Sequence, residues 1–164
     1  MDDDETLTAY HEAGHATVGY ALGGSVEAIQ LDGENEVTGA RYFGECRISW
    51  RTLNGEINTQ HQMEILTVLA GPAAELVYRG EPITLEQLQP WKQDLNMAWS
   101  LLQRVDVSPR DQLELMSRII DRLKEVIREE PCWSAVASLA DALLAHEYLE
   151  EDQVEEILAF WMHR

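Results

Sequence analysis

Between Thr8 and Leu22 the chain places two histidines and a glutamate inside a helix-patterned, otherwise apolar stretch, and this combination restricts the fold more than any other feature. Tyr10, Ala13, Ala16, Val18 and Ala21 suit a mostly buried helix, yet the same segment carries His11-Glu12-Ala13-Gly14-His15. An unpaired charge at Glu12 would be costly in such surroundings, so the polar groups need partners. Positions four apart share a helix face, which lets His11 and His15 bind one metal ion while Glu12 sits one step around the turn. Gly14 and Gly19 are poor helix formers, and their small size allows a neighbouring backbone to pack closely.

The H-E-x-x-H spacing is that of zinc hydrolases. A zinc ion with an open coordination position lowers the pKa of bound water to about 7, and an adjacent carboxylate can take up the proton as an amide carbonyl is attacked. Three protein ligands are usual, so one place is filled from elsewhere in the fold. Glu75, Asp94, His61 and His146 are the candidates, and spacing does not choose among them. Asp94 and Glu75 gain weight as carboxylates beside apolar neighbours, Leu95 for one and Ala73, Ala74, Leu76 and Val77 for the other.

The 164 residues, 45% of them hydrophobic, suit a single domain over residues 1–164. Twelve basic residues against thirty acidic ones give a formal charge of -18, which repels nucleic acid and anionic membrane surfaces. An acidic surface suits solubility and would also favour basic or unfolded polypeptides. Cys46 and Cys132 are too few and too far apart for a disulfide framework and read as buried thiols. The acidic Met1-Asp2-Asp3-Asp4-Glu5 is unlike a signal peptide, and no apolar run reaches the ~18 residues that cross a bilayer. The expectation is a soluble, cytoplasmic protein without membrane insertion.

Helix one is predicted from about Thr6 to Leu22, stopped by Gly23-Gly24. Val26–Leu31, Val37–Phe43 and Arg47–Thr52 read as short strands. A helix follows from a Thr59/Gln62 capping box to Gly80, with a kink expected near Gly71 from Pro72. A turn near Thr84, between Pro82 and Pro90, precedes a helix through Asp94 and Leu102. Ser108-Pro109 is a helix start signal, for a helix to about Glu129. After Pro131, helices near Trp133–His146 and Glu151–Trp161 complete a mainly α fold with a small β-sheet: metal-binding helix first, then short strands, then a helical bundle. Trp91, Trp99, Trp133 and Trp161 are read as packing aromatics.

Three blocks carry a family resemblance. Thr6-Leu7-Thr8-Ala9-Tyr10-His11-Glu12-Ala13-Gly14-His15-Ala16 resembles the opening of the peptidase domain of FtsH, the membrane-anchored AAA protease. Leu69-Ala70-Gly71-Pro72-Ala73-Ala74-Glu75 resembles that family's L-x-G-R-x-A-E stretch, and Asp94-Leu95-Asn96-Met97-Ala98 its D-L-x-x-A-T segment. Their order and approximate spacing agree, and Leu139–Leu158 looks like the family's closing helices.

The resemblance implies an FtsH-type metallopeptidase domain with one Zn2+ per chain, held by His11, His15 and Asp94, and with Glu12 as general base. It implies that Glu75 orients a histidine ligand. It also implies that Val37, Thr38, Gly39, Ala40, Arg41, Tyr42 and Phe43 form the edge strand along which a peptide is laid. Pro72 stands where the family has arginine, and Gln89-Pro90-Trp91-Lys92-Gln93 replaces its T-G-A-x-N approach. No G-x-x-x-x-G-K-[ST] loop is present, so no nucleotide partner is expected. The expected activity is ATP-independent hydrolysis of flexible or unfolded polypeptides by a zinc metalloendopeptidase. The alternative is a non-catalytic interaction or regulatory module of the same fold. Homo-oligomerisation or association with a full-length homologue are the assemblies implied.

Overall fold

The computed structural model describes residues 4–31, 33–34, 41–42, 44–51, 57–80, 91–104 and 108–163. Its first helix, α1 (Asp4–Ala21), is apolar almost all round after its acidic opening turn of Asp4 and Glu5. Every residue from His11 to Tyr20 is buried, as a helix surrounded by other elements must be. Its main neighbour is α2 (Ile57–Arg79), and the close approach is made at Gly14. A methyl group there would run into Ala74 Cβ and the carbonyl of Ala70. The glycine is therefore what lets the two backbones meet.

Four further helices, α3 (Lys92–Leu102), α4 (Pro109–Arg128), α5 (Cys132–His146) and α6 (Glu151–Trp161), complete the helical part among the described residues. Ser108 caps α4 by accepting a hydrogen bond from the Asp111 backbone, with Pro109 in the first turn. Along that helix Met116, Ile120, Leu123 and Ile127 form one buried stripe at helical spacing. It packs chiefly on α2, while α5 packs on the opposite partner, α1. The chain is thus mainly helical, and no helix of the described residues is long and apolar enough to cross a membrane.

The small sheet has β1 (Ser25–Gln30) at its centre, antiparallel to β4 (Glu45–Ser49) and β5 (Tyr148–Glu150). Ile29 pairs with Cys46 on one side and Leu149 on the other, and a bulge interrupts the β1–β4 register between Val26 and Ala28. A separate two-residue pair joins β2 (Gly33–Glu34) to β3 (Arg41–Tyr42).

Several expectations are corrected. Strand β5 falls where the sequence suggests only a connection between two helices. Glu147, in the left-handed region at φ 64°, ends α5, and its carbonyl accepts the Leu31 amide at 2.9 Å as the chain pairs with β1. Thr59 lies inside α2 rather than capping it, because the helix begins at Ile57. That helix continues through Pro72 and ends, as expected, just before Gly80. The strand expected over Arg47–Thr52 begins two residues earlier, at Glu45. Of the segment Val37–Phe43, only Arg41 and Tyr42 are described; Val37, Thr38, Gly39, Ala40 and Phe43, like the turn near Thr84, lie outside the described residues.

Candidate metal centre

Helical spacing puts His11 and His15 one turn apart on the face of α1 that meets α2, with exposures of only 9% and 8%. Each ring is oriented by an acceptor on α2. His11 donates its Nδ1–H to Glu75 Oε2 at 3.0 Å, and His15 donates its Nδ1–H to the carbonyl oxygen of Thr67 at 2.8 Å. A carbonyl oxygen can only accept, so the proton of His15 is fixed on Nδ1. With the other nitrogens so engaged, both Nε2 atoms are free to face one point.

That point is occupied by Asp94, from the first turn of α3. Its Oδ2 lies 2.5 Å from His11 Nε2 and 3.2 Å from His15 Nε2. Two neutral imidazole lone pairs aimed at a carboxylate oxygen would repel it, so the arrangement requires a cation or a proton between them. Two ligand atoms on one tetrahedral zinc ion, each ~2.0–2.1 Å from it, lie roughly 3.3 Å apart. The His15–Asp94 separation meets that spacing, while His11 Nε2 and Asp94 Oδ2 stand closer, in direct hydrogen-bond contact. Two imidazoles and a carboxylate with their outer atoms anchored suit zinc as a donor set.

Room for this cluster depends on Gly71. A Cβ on Gly71 would collide with Nε2 and Cε1 of His15 and with Nε2 of His11. The helix that supplies Glu75 thus passes directly against the two Nε2 atoms.

Glu12 is 7% exposed, and one of its carboxylate oxygens comes within 4.8 Å of a ring nitrogen of each histidine, a group of three that could hold a metal ion. Its side chain makes no hydrogen bond among the described residues. Burial raises its pKa above the usual carboxylate range, the charges of His15 and His11 oppose that rise, and Asp94 and Glu45 reinforce it. Asp94 itself, held by His15 and His11 against the cost of burial, titrates below the usual range. Burial alone would depress His11, but its hydrogen bonds to Asp94 and Glu75 and the charges of Glu12 and Asp94 push it up to about 10. For His15 the same balance of burial against Asp94 also ends in a raised value.

Of the four sequence candidates for a third ligand, Asp94 reaches both Nε2 atoms and Glu75 stands behind His11. His61 instead faces Arg104, whose guanidinium lies 3.2 Å from its Nε2, and His146 is exposed at the end of α5. The strand beside Glu12 is β4: a Cβ on the preceding Gly44 would meet Glu12 Oε1 and Thr8 Cγ2. The Cys46 thiol in β4 is pushed well above its ordinary value by burial, then by Glu12, Asp94 and Glu45.

Trp91 is more than a packing aromatic. Its indole N–H donates to Glu75 Oε2 at 2.6 Å. Sequence reasoning passes over it because an indole in an apolar neighbourhood looks the same whether or not its N–H is used. Trp133, by contrast, stacks on Tyr10 with ring centroids 5.5 Å apart. No known protein-family model matches this chain, and no curated protein matches it either.

Proposed function

We propose that this chain is an FtsH-like zinc metallopeptidase domain that hydrolyses peptide bonds of flexible or unfolded polypeptides without ATP. The observation that carries the reading is the convergence of His11 Nε2 and His15 Nε2 on Asp94 Oδ2, with both Nδ1 atoms already committed to acceptors. His11, His15 and Asp94 would hold the ion. Zinc bound there supplies Lewis acidity for the scissile carbonyl and for a water molecule.

Glu12 acts as general base: it takes the proton of the attacking water and delivers it to the departing amine. Burial moves its pKa upward, the direction that favours a carboxylate accepting a proton from water. Glu75 and the Thr67 carbonyl keep the two imidazoles in the tautomer that leaves Nε2 open. Among the described residues β4 pairs only with β1, and on this reading an extended peptide is laid along the other edge of that strand, past Glu12.

A binding-only module would have little use for a buried carboxylate beside two histidines that has no hydrogen-bond partner among the described residues. The test is cleavage of an unfolded casein-like substrate by zinc-loaded protein, beside Glu12→Gln and a chelated sample. Cleavage that vanishes in both controls supports the reading. Stoichiometric zinc with no cleavage, or full activity in Glu12→Gln, overturns it.

A further inference from the structure

Trp91 is 1% exposed and stands immediately before α3. Through its side chain it reaches Glu75 Oε2, the same oxygen that accepts the Nδ1–H of His11. Through its backbone carbonyl it accepts the Leu95 amide at 2.9 Å, closing the first turn of α3 around Asp94. One residue thus joins the carboxylate behind one histidine to the turn that presents the third acidic group. An indole N–H can only donate. A buried donor aimed at an oxygen already in use by His11 restricts that carboxylate to one rotation.

We propose that Trp91 is a positioning residue for the metal centre, holding Glu75 so that the His11 proton stays on Nδ1, and pinning the start of α3 so that Asp94 meets both Nε2 atoms. The inference rests on reading His11, His15 and Asp94 as metal ligands. Trp91 touches neither the ion nor the substrate; it acts through Glu75 and through the α3 turn. Groups in this outer position commonly change metal affinity by about 10–100-fold when removed.

Trp91→Phe keeps most of the ring and deletes the N–H. Zinc affinity, measured by competition with a chromophoric chelator, is expected to fall about 10-fold or more in this variant while its helical circular dichroism is kept. Because Trp91 acts on His11 through Glu75, adding Trp91→Phe to Glu75→Ala should weaken binding by less than the same change does alone. A second readout uses the unaltered protein: the Trp91 indole N–H resonance, assigned by its contacts, should be displaced far downfield by its short hydrogen bond to the carboxylate and should move when zinc is added.

Wild-type zinc affinity in Trp91→Phe, fully additive losses in the double variant, or an indole resonance at the ordinary position would overturn the role of Trp91 while leaving the ligands intact. Failure of the wild-type protein to bind zinc would overturn the ligand assignment and this inference together.

Discussion

His11 Nε2 lies 2.5 Å from Asp94 Oδ2, although 83 residues separate the two in the chain. A neutral imidazole whose Nδ1 carries the proton offers only a lone pair at Nε2, and a carboxylate offers another. A proton on Nε2, donated to the carboxylate, is what makes this contact attractive, since two ligands of one zinc ion would stand roughly 3.3 Å apart. Under the proposed function, zinc would take the place of that proton.

Zinc binding at pH 7 should therefore release protons. His11 holds its proton up to about 10 in the metal-free protein, so the ion must displace it. A weakly buffered titration with a pH indicator checks this, and metal affinity should fall as pH is lowered.

Stability of the metal-free protein should depend on pH in a defined direction. The folded His11 value is raised above 6.5, so its contribution is complete below that unfolded value and disappears as pH rises through about 10. The folded Asp94 value is lowered below 3.8, so its contribution is complete above that value and disappears on acidification. Thermal melts in chelator should show maximal stability between these limits and a decline towards pH 10.

Glu12→Gln keeps the size of the side chain but removes the base. Turnover of an unfolded substrate should drop by about 10²–10⁴-fold, with bound zinc unchanged by elemental analysis. Asp94→Ala should instead lose the metal, because it deletes a proposed ligand rather than the proposed base.

Gly71→Ala adds one methyl group where His11 and His15 need the space. Overpacking of this kind costs about 1–3 kcal/mol, and here it falls on the Nε2 atoms of His11 and His15. The variant should melt at a lower temperature and bind zinc far more weakly, read by differential scanning calorimetry and chelator competition. The same substitution at Gly14 should reduce stability through the α1–α2 packing, with a smaller effect on zinc.

Native Cys46 and Cys132 should react slowly with a thiol reagent at pH 8. Burial raises Cys46 well above its ordinary value, and burial followed by the charge of Glu130 puts Cys132 at about 11. Only thiolates react, so denaturation should release both thiols to rapid modification.

What could be read from the sequence is what depends on neighbours within a turn or two. The periodicity of α1, the four-residue spacing of His11 and His15, the Ser108-Pro109 start of α4 and the span of α6 are all local, set by helix geometry and by the burial of apolar side chains. Long-range pairings left no such mark. Four residues were chemically suitable as the third ligand, and the packing of α3 against α2 brought Asp94 to the Nε2 atoms, placing Glu75 behind His11 and leaving His61 and His146 aside. Strand β5 forms because the turn at Glu147 returns the chain to β1, which no pattern in Tyr148–Glu150 announces. The hydrogen bond from Trp91 to Glu75 belongs to the same class: its two ends are local residues of ordinary type, and only tertiary packing aims one at the other.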